Sequence, residues 1–175
     1  MITKDNNYKV MRLFFDSPEA KIHMRKIARL TGLSAPGVIK IVSRLKKEGL
    51  LLSKRTDLAK DVSASKNEKF LNLKRCYNFL NIQESGIVGF LKMHYEEPEA
   101  IVLFGSYGKG EDNSDSDVDL AIITNLSKSL DLKKFEKHVG RKINLYEINV
   151  KECEKEFLNN LANGVILHGY QRLVL

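Results

Sequence analysis

The chain has 175 residues, of which 43% are hydrophobic and 29% charged. This length suits one ordinary domain or two small ones, and the composition is globular rather than disordered or fibrous. Trp is absent and only 3 Pro occur, which excludes a Pro-rich stalk or linker. The longest apolar runs, such as Gly49–Leu52 and Ala121–Ile123, fall far short of the roughly 20 residues that span a bilayer. Met1–Asn7 has no apolar h-region. The two cysteines, Cys76 and Cys153, are far apart and in no ligand pattern, so they read as thiols in a reducing compartment. His23, His94, His138 and His168 show no ligand spacing either. The expectation is a soluble cytoplasmic protein.

Charge is uneven along the chain. Residues 1–82 carry 18 Lys/Arg against 7 Asp/Glu, a net of +11; residues 83–175 carry 11 against 15, a net of −4. A basic first half suits a polyanionic partner, although a solvated Lys-rich surface also aids solubility.

From the N-terminus, Tyr8–Phe15 has helical spacing and stops at Ser17-Pro18. Met24–Leu30 places residues 24, 27, 28 and 30 on one side and is followed by Gly32-Leu33-Ser34. There Gly supplies a tight turn, Leu33 returns to the core, and Ser34 can cap the next helix. Ala35–Glu48 carries Val38, Ile41, Val42 and Leu45 on one stripe, with Lys40, Ser43, Arg44 and Lys47 over much of the rest. One side packs while the other approaches phosphates and base edges. Leu50–Arg55 and Lys69–Leu73 are expected to pair as a hairpin, with Lys54, Arg55, Lys60 and Lys66 in or near the connection. Residues 8–75 resemble the winged helix-turn-helix DNA-binding domains, through Ile27-Ala28, Gly32-Leu33-Ser34 and Leu45–Leu50. The resemblance implies double-stranded DNA as partner, contacted by Ser34, Lys40, Ser43, Arg44, Lys47, Lys54 and Arg55. Winged helices also dock proteins, and that alternative stays open.

Tyr77–Leu80 and Ile87–Met93 read as one or two connecting helices ending near Pro98. Beyond it, Ala100–Phe104 and Asp117–Thr124 read as strands, Leu130–Val139 as a helix, Lys142–Ile148 as a strand and Val150–Leu161 as a helix. Strands alternating with helices imply an α/β or α+β domain. The organisation expected is a DNA-binding domain over 1–75, a helical linker over 76–97 and a second domain over 98–175. The fold class is α+β, with a mixed sheet and flanking helices in the second domain.

The chemical signal lies between Phe104 and Leu120. Gly105-Ser106 directly follows a strand, with Gly108, Lys109 and Gly110 after it. Small residues there let backbone N–H groups and the Ser106 hydroxyl approach a phosphate, and Lys109 adds charge. Asp117 and Asp119, two apart on an expected strand, point to one face while Val118 and Leu120 point inward. Paired carboxylates repel unless neutralised, and hard oxygen ligands favour Mg²⁺ or Mn²⁺.

In order and spacing these residues resemble the Gly-Ser-x10-Asp-x-Asp signature of the polymerase-beta-like nucleotidyltransferases, and most closely the minimal nucleotidyltransferases. The resemblance covers residues 98–170. It implies that Gly105, Ser106 and Lys109 hold the triphosphate of ATP or another NTP. It also implies that Asp117 and Asp119 bind Mg²⁺, for transfer of a nucleoside monophosphate with release of pyrophosphate.

One position departs from that pattern. The family carries a third carboxylate on a later strand, and the matching residue is Asn144. An amide can ligate a metal but cannot serve as a general base, a loss of about 10²–10⁴-fold. Glu147 lies three residues further and so faces the other side of a regular strand, while Asp112 and Asp115 are loop candidates to substitute. The functional expectation is therefore a DNA-binding regulator whose second domain binds a Mg²⁺–nucleotide with weak or no catalysis. A homodimer is expected from the winged-helix resemblance. The alternative is an active nucleotidyltransferase acting on a protein, RNA or small molecule, for which the resemblance suggests a toxin–antitoxin role and a toxin partner. A third, plainer reading is a structural adaptor.

Overall fold

The computed structural model describes residues 5–55, 60–150 and 153–171. The chain divides into two units, Met1–Lys74 and Arg75–Leu175.

In the first unit the order is α1 (Asn6–Asp16), β1 (Ile22–His23), α2 (Met24–Thr31), α3 (Ala35–Lys47), β2 (Leu51–Arg55) and β3 (Lys60–Ala64). The helix starts follow from capping chemistry. The Asp5 carboxylate accepts the Asn7 backbone N–H at 2.7 Å, and the Ser34 hydroxyl accepts that of Gly37 at 3.3 Å. Val10, Phe14, Ile27, Val38, Val42 and Val62 lose all contact with solvent, each burial being worth about 1.5–3 kcal/mol. The three strands form an antiparallel sheet in the order β1-β3-β2.

The expected hairpin needs correcting. β2 pairs with Lys60–Ala64, in the register Leu51↔Ala64 to Arg55↔Lys60, and not with Lys69–Leu73. Those residues lie in α4 (Glu68–Ser85). Asn67 decides the matter: its Oδ1 accepts the Phe70 N–H at 2.9 Å, which starts a helix, while its amide donates to the Gly49 carbonyl at 2.9 Å. Phe70 is then buried against Phe15, ring centroids 5.4 Å apart. Residues 56–59 and the side chains of Arg55 and Lys60 lie outside the described residues.

The second unit adds α5 (Ile87–His94), β4 (Ala100–Phe104), α6 (Gly105–Lys109), β5 (Val118–Ile123), α7 (Lys133–Val139), β6 (Ile143–Ile148), α8 (Lys155–Ala162) and β7 (Val165–Gly169). Its mixed four-stranded sheet runs β6-β5-β4-β7, with β5 and β6 parallel and the other pairs antiparallel. Strand alternation gives the sheet two apolar faces. Leu103, Leu120 and Ile122 pack with Ile82, Ile87, Leu91 and Phe135. Val102, Ala121 and Ile123 pack with Leu158 and Leu161 on the other side. The stretch read as a connecting helix thus supplies Ile82, Ile87, Val88 and Leu91 to this core. α7 and α8 start later than their apolar spacing suggests, at Lys133 and Lys155, and β7 was not expected at all.

A buried polar cluster fixes the loop between α6 and β5. The Asp112 side chain is fully buried and lies 3.3 Å from the Arg141 guanidinium. The Asn78 amide donates to Asp112 at 2.7 Å and to the Tyr107 carbonyl at 2.8 Å. Arg141 also donates to the carbonyls of Asn113 and Ser116. A charge with no solvent must be paired to be tolerated, so this cluster holds the loop that carries Asp117. Arg141→Ala is expected to destabilise the fold by about 3 kcal/mol in urea unfolding, because it strands the Asp112 carboxylate. A loss below about 1 kcal/mol would mean that water replaces the guanidinium.

Candidate functional site

β4 and β5 run antiparallel with Phe104 opposite Asp119, and β5 and β6 run parallel with Asp119 beside Asn144. These two registers alone bring Gly105, Asp119 and Asn144 to neighbouring places at one end of the sheet. Asp117 sits just ahead of β5 and joins them. The Asn144 amide donates to Asp117 Oδ2 at 3.2 Å and to Asp119 Oδ1 at 3.1 Å. Two carboxylates and an amide therefore meet as the sequence anticipates.

Gly105 is required here for two reasons. Its φ of +68° lies in the left-handed region, and a Cβ would collide with the Asp119 carboxylate. Gly108 is needed one turn later, where a Cβ would come within 2.9 Å of the Leu103 carbonyl. The segment after β4 forms the short helix α6, which Gly110 ends at φ +75°. Ser106 is half-buried in its first turn and Lys109 is exposed.

Sequence reasoning missed Tyr146. It lies two residues beyond Asn144 on β6, so strand alternation puts it on the same face. Partial burial first, and then the nearby Asp119 carboxylate and the charge of Asp117, push the pKa of its hydroxyl above the usual phenol value. The ring packs edge-on to Phe104, centroids 5.4 Å apart, and contacts Phe157 at 6.1 Å. Period-two spacing from Asn144 was the available signal.

The reserve carboxylates are occupied elsewhere. Asp112 belongs to the buried cluster with Arg141 and Asn78. Glu147 accepts from Tyr95 Oη at 2.6 Å, Ser127 Oγ at 2.6 Å and the Lys128 N–H at 2.6 Å. Burial of Glu147 works against ionisation, but these three donors outweigh it and hold its pKa below the ordinary value. Asp115 is exposed on the loop.

Among the described residues, no group of three or more His, Cys, Asp or Glu is placed to hold a metal. The third member of this cluster is instead an amide. Half a turn of the Asn144 side chain exchanges NH₂ for a carbonyl oxygen. The same three side chains then offer a small divalent cation two carboxylates and a neutral oxygen. Mg²⁺ is commonly held by one or two carboxylates with phosphates and water completing the shell, so the donor set fits.

The first unit presents a different surface. Lys40, Ser43, Arg44 and Lys47 are exposed on α3 and, with Pro36 and Ile39, line a shallow groove. Arg44 donates to the Asn7 side chain. The Ser34 hydroxyl is committed to capping α3. Lys54 is exposed on β2.

Residues 86–172 match the family of polymerase beta nucleotidyltransferase domains. That span is about half of the chain and contains Gly105, Ser106, Asp117, Asp119, Asn144 and Tyr146. The match supports membership of the second unit in the polymerase beta-like superfamily. No curated protein matches the chain. Among the described residues, no helix is long and apolar enough to cross a membrane.

Gly105→Ala tests the geometry directly. The expected result in urea unfolding is a protein weakened by about 1–2 kcal/mol from the left-handed backbone alone, with a further loss from the displaced Asp119 carboxylate. A loss confined to the backbone cost would show that Asp119 tolerates displacement.

Proposed function

We propose that the second unit binds a divalent cation and a nucleoside triphosphate, such as ATP, with little transfer to external acceptors, and that the first unit is a winged helix that binds duplex DNA. The observation that carries the proposal is the Asn144 amide, which donates to both Asp117 and Asp119 at the place where minimal nucleotidyltransferases resembling this chain carry a carboxylate. In that reading Asp117, Asp119 and the Asn144 carbonyl hold the cation, whose charge would stabilise the pentavalent phosphorus of a transfer reaction. Gly105 and Ser106 give the phosphates close backbone approach, with Lys109 as an outer cation. Asn144 has no basic lone pair to take the proton of an attacking hydroxyl, so an outside acceptor meets a site that binds but does not deprotonate.

The helix–strand–helix–helix–strand–strand order of the first unit supports its winged-helix reading. So does the exposed row Lys40, Ser43, Arg44 and Lys47 on the helix after the Gly32-Leu33-Ser34 turn. These side chains and Lys54 have the charge and reach to contact phosphates and base edges. A nucleotide-sensing regulator, dimeric on a two-fold DNA site, follows as the working picture.

Two experiments test the halves separately. Asn144→Asp is expected to raise label transfer from α-labelled ATP to acceptors in a cell extract by about 10²–10⁴-fold, while Asp117→Asn removes Mg²⁺–ATP binding. If the unaltered chain already labels an acceptor as fast as Asn144→Asp, the active-transferase reading replaces this one. Duplex DNA binding is expected to weaken steeply with salt, and the double change Arg44→Ala with Lys47→Ala to lower the logarithmic salt slope by about 2. No salt-dependent binding to duplex DNA would remove the DNA half of the proposal.

A further inference from the structure

Helix α3 carries one large apolar side chain that its own packing does not use. Val38, Val42 and Leu45 are the buried residues of this helix, yet Ile39 stands 54% exposed. A single exposed apolar residue is ordinary, so its neighbours decide what it means. Pro36, Ile39, Lys40, Ser43, Arg44 and Lys47 line one groove. Helical spacing sorts these six into two rows. Pro36, Ile39 and Ser43 follow one another at intervals of three and four, and Lys40, Arg44 and Lys47 do the same beside them. One row is apolar or small, and the other is wholly cationic.

The two rows suit different parts of a DNA duplex. Phosphate contacts set position and salt-dependent affinity but carry no sequence information directly. The cationic row fits that part, and Arg44 is already oriented by its hydrogen bond to the Asn7 side chain. Base edges are met by residues toward the start of a recognition helix, where Pro36 and Ile39 lie. The apolar feature on the major-groove edges is the 5-methyl group of thymine. Isoleucine is a stiff probe for it, since a branched Cβ leaves one strongly preferred χ1 rotamer in a helix. A neutral apolar partner would instead desolvate three cations with nothing to pair them. A duplex supplies anions to the cations and a methyl group to the isoleucine at once.

We infer that Ile39 is the residue by which this chain recognises thymine, through van der Waals contact with the 5-methyl group in the major groove. The inference rests on the proposed binding of duplex DNA by the first unit. It assigns specificity to an uncharged side chain, while Lys40, Arg44 and Lys47 supply the salt-dependent affinity. Removing Ile39 therefore leaves affinity for arbitrary DNA intact and erases the preference for thymine. Burying one methyl group corresponds to about a fourfold change in affinity.

The test compares the full chain with Ile39→Ser, whose melting curve shows that it folds. The unaltered chain is first used to select from a pool of duplexes randomised in sequence. The enriched duplex is then remade with deoxyuridine in place of each thymine in turn, which deletes the methyl group and nothing else. Affinities are read by fluorescence anisotropy over a range of salt. At one or more thymines the replacement is expected to weaken the unaltered chain about fourfold. At the same thymines it is expected to leave the affinity of Ile39→Ser unchanged. On an unselected duplex both proteins are expected to bind equally, with the same salt slope.

Methyl deletion without effect at every thymine would overturn the inference. So would an equal loss in both proteins, a weakening of Ile39→Ser on the unselected duplex, or salt-dependent binding with no enriched sequence. Each of these outcomes leaves DNA binding by the first unit in place. Absence of salt-dependent binding to any duplex by either protein would overturn the DNA reading along with the inference.

Discussion

Two carboxylates held close together at one end of a sheet repel each other, and the arrangement of the second unit follows from how that repulsion is met. At about 4 Å in a partly solvated site, like charges cost on the order of several kcal/mol unless donors or cations intervene. Asp117 and Asp119 share the Asn144 amide. The absence of a side chain at Gly105 leaves room for the carboxylate on its remaining side. The loop that delivers Asp117 cannot drift, because Asp112, Arg141 and Asn78 tie it to the body of the unit. A site with these constraints is preorganised for a cation or for a developing positive partner, whichever arrives.

How much of this was readable from the residues depends on the range of the interactions. Capping and strand alternation are local, so Ser34 ahead of α3 and the buried run Ala100–Phe104 were legible. The Gly-Ser and Asp-x-Asp pieces were legible too, because their spacing is itself the signal. The hairpin was misassigned because Lys60–Ala64 carries few apolar residues, and Asn67 turns the more apolar stretch after it into a helix. α6 holds two glycines in five residues, a poor helix by propensity, and forms because β4 and the loop beyond fix both its ends. Period-two spacing puts Tyr146 on the face of Asn144, but its place beside Asp119 depends on the β5–β6 register, which is long-range.

The charge asymmetry acquires a physical location in each unit. In the first, exposed Lys and Arg gather on α3, while the opposite stripe of that helix is buried. In the second, four of the acidic residues do internal work: Asp112 on the loop, Glu147 on Tyr95, Ser127 and Lys128, and Asp117 and Asp119 on the site. A net count treats these carboxylates alike. Their hydrogen-bond partners separate the scaffold from the chemistry.

Asn144 also has a meaning in the currency of codons. Asparagine and aspartate are nearly the same shape, and their codons differ by a single base transition. The change therefore leaves the β5–β6 register, the Gly105 contact and the Tyr146 ring in place, and only replaces a donor with an acceptor between Asp117 and Asp119. A lineage carrying this chain is one mutational step from a three-carboxylate site. Gly105 offers no such freedom, since every substitution there meets Asp119. The two positions lie side by side, yet drift can explore one and is barred from the other.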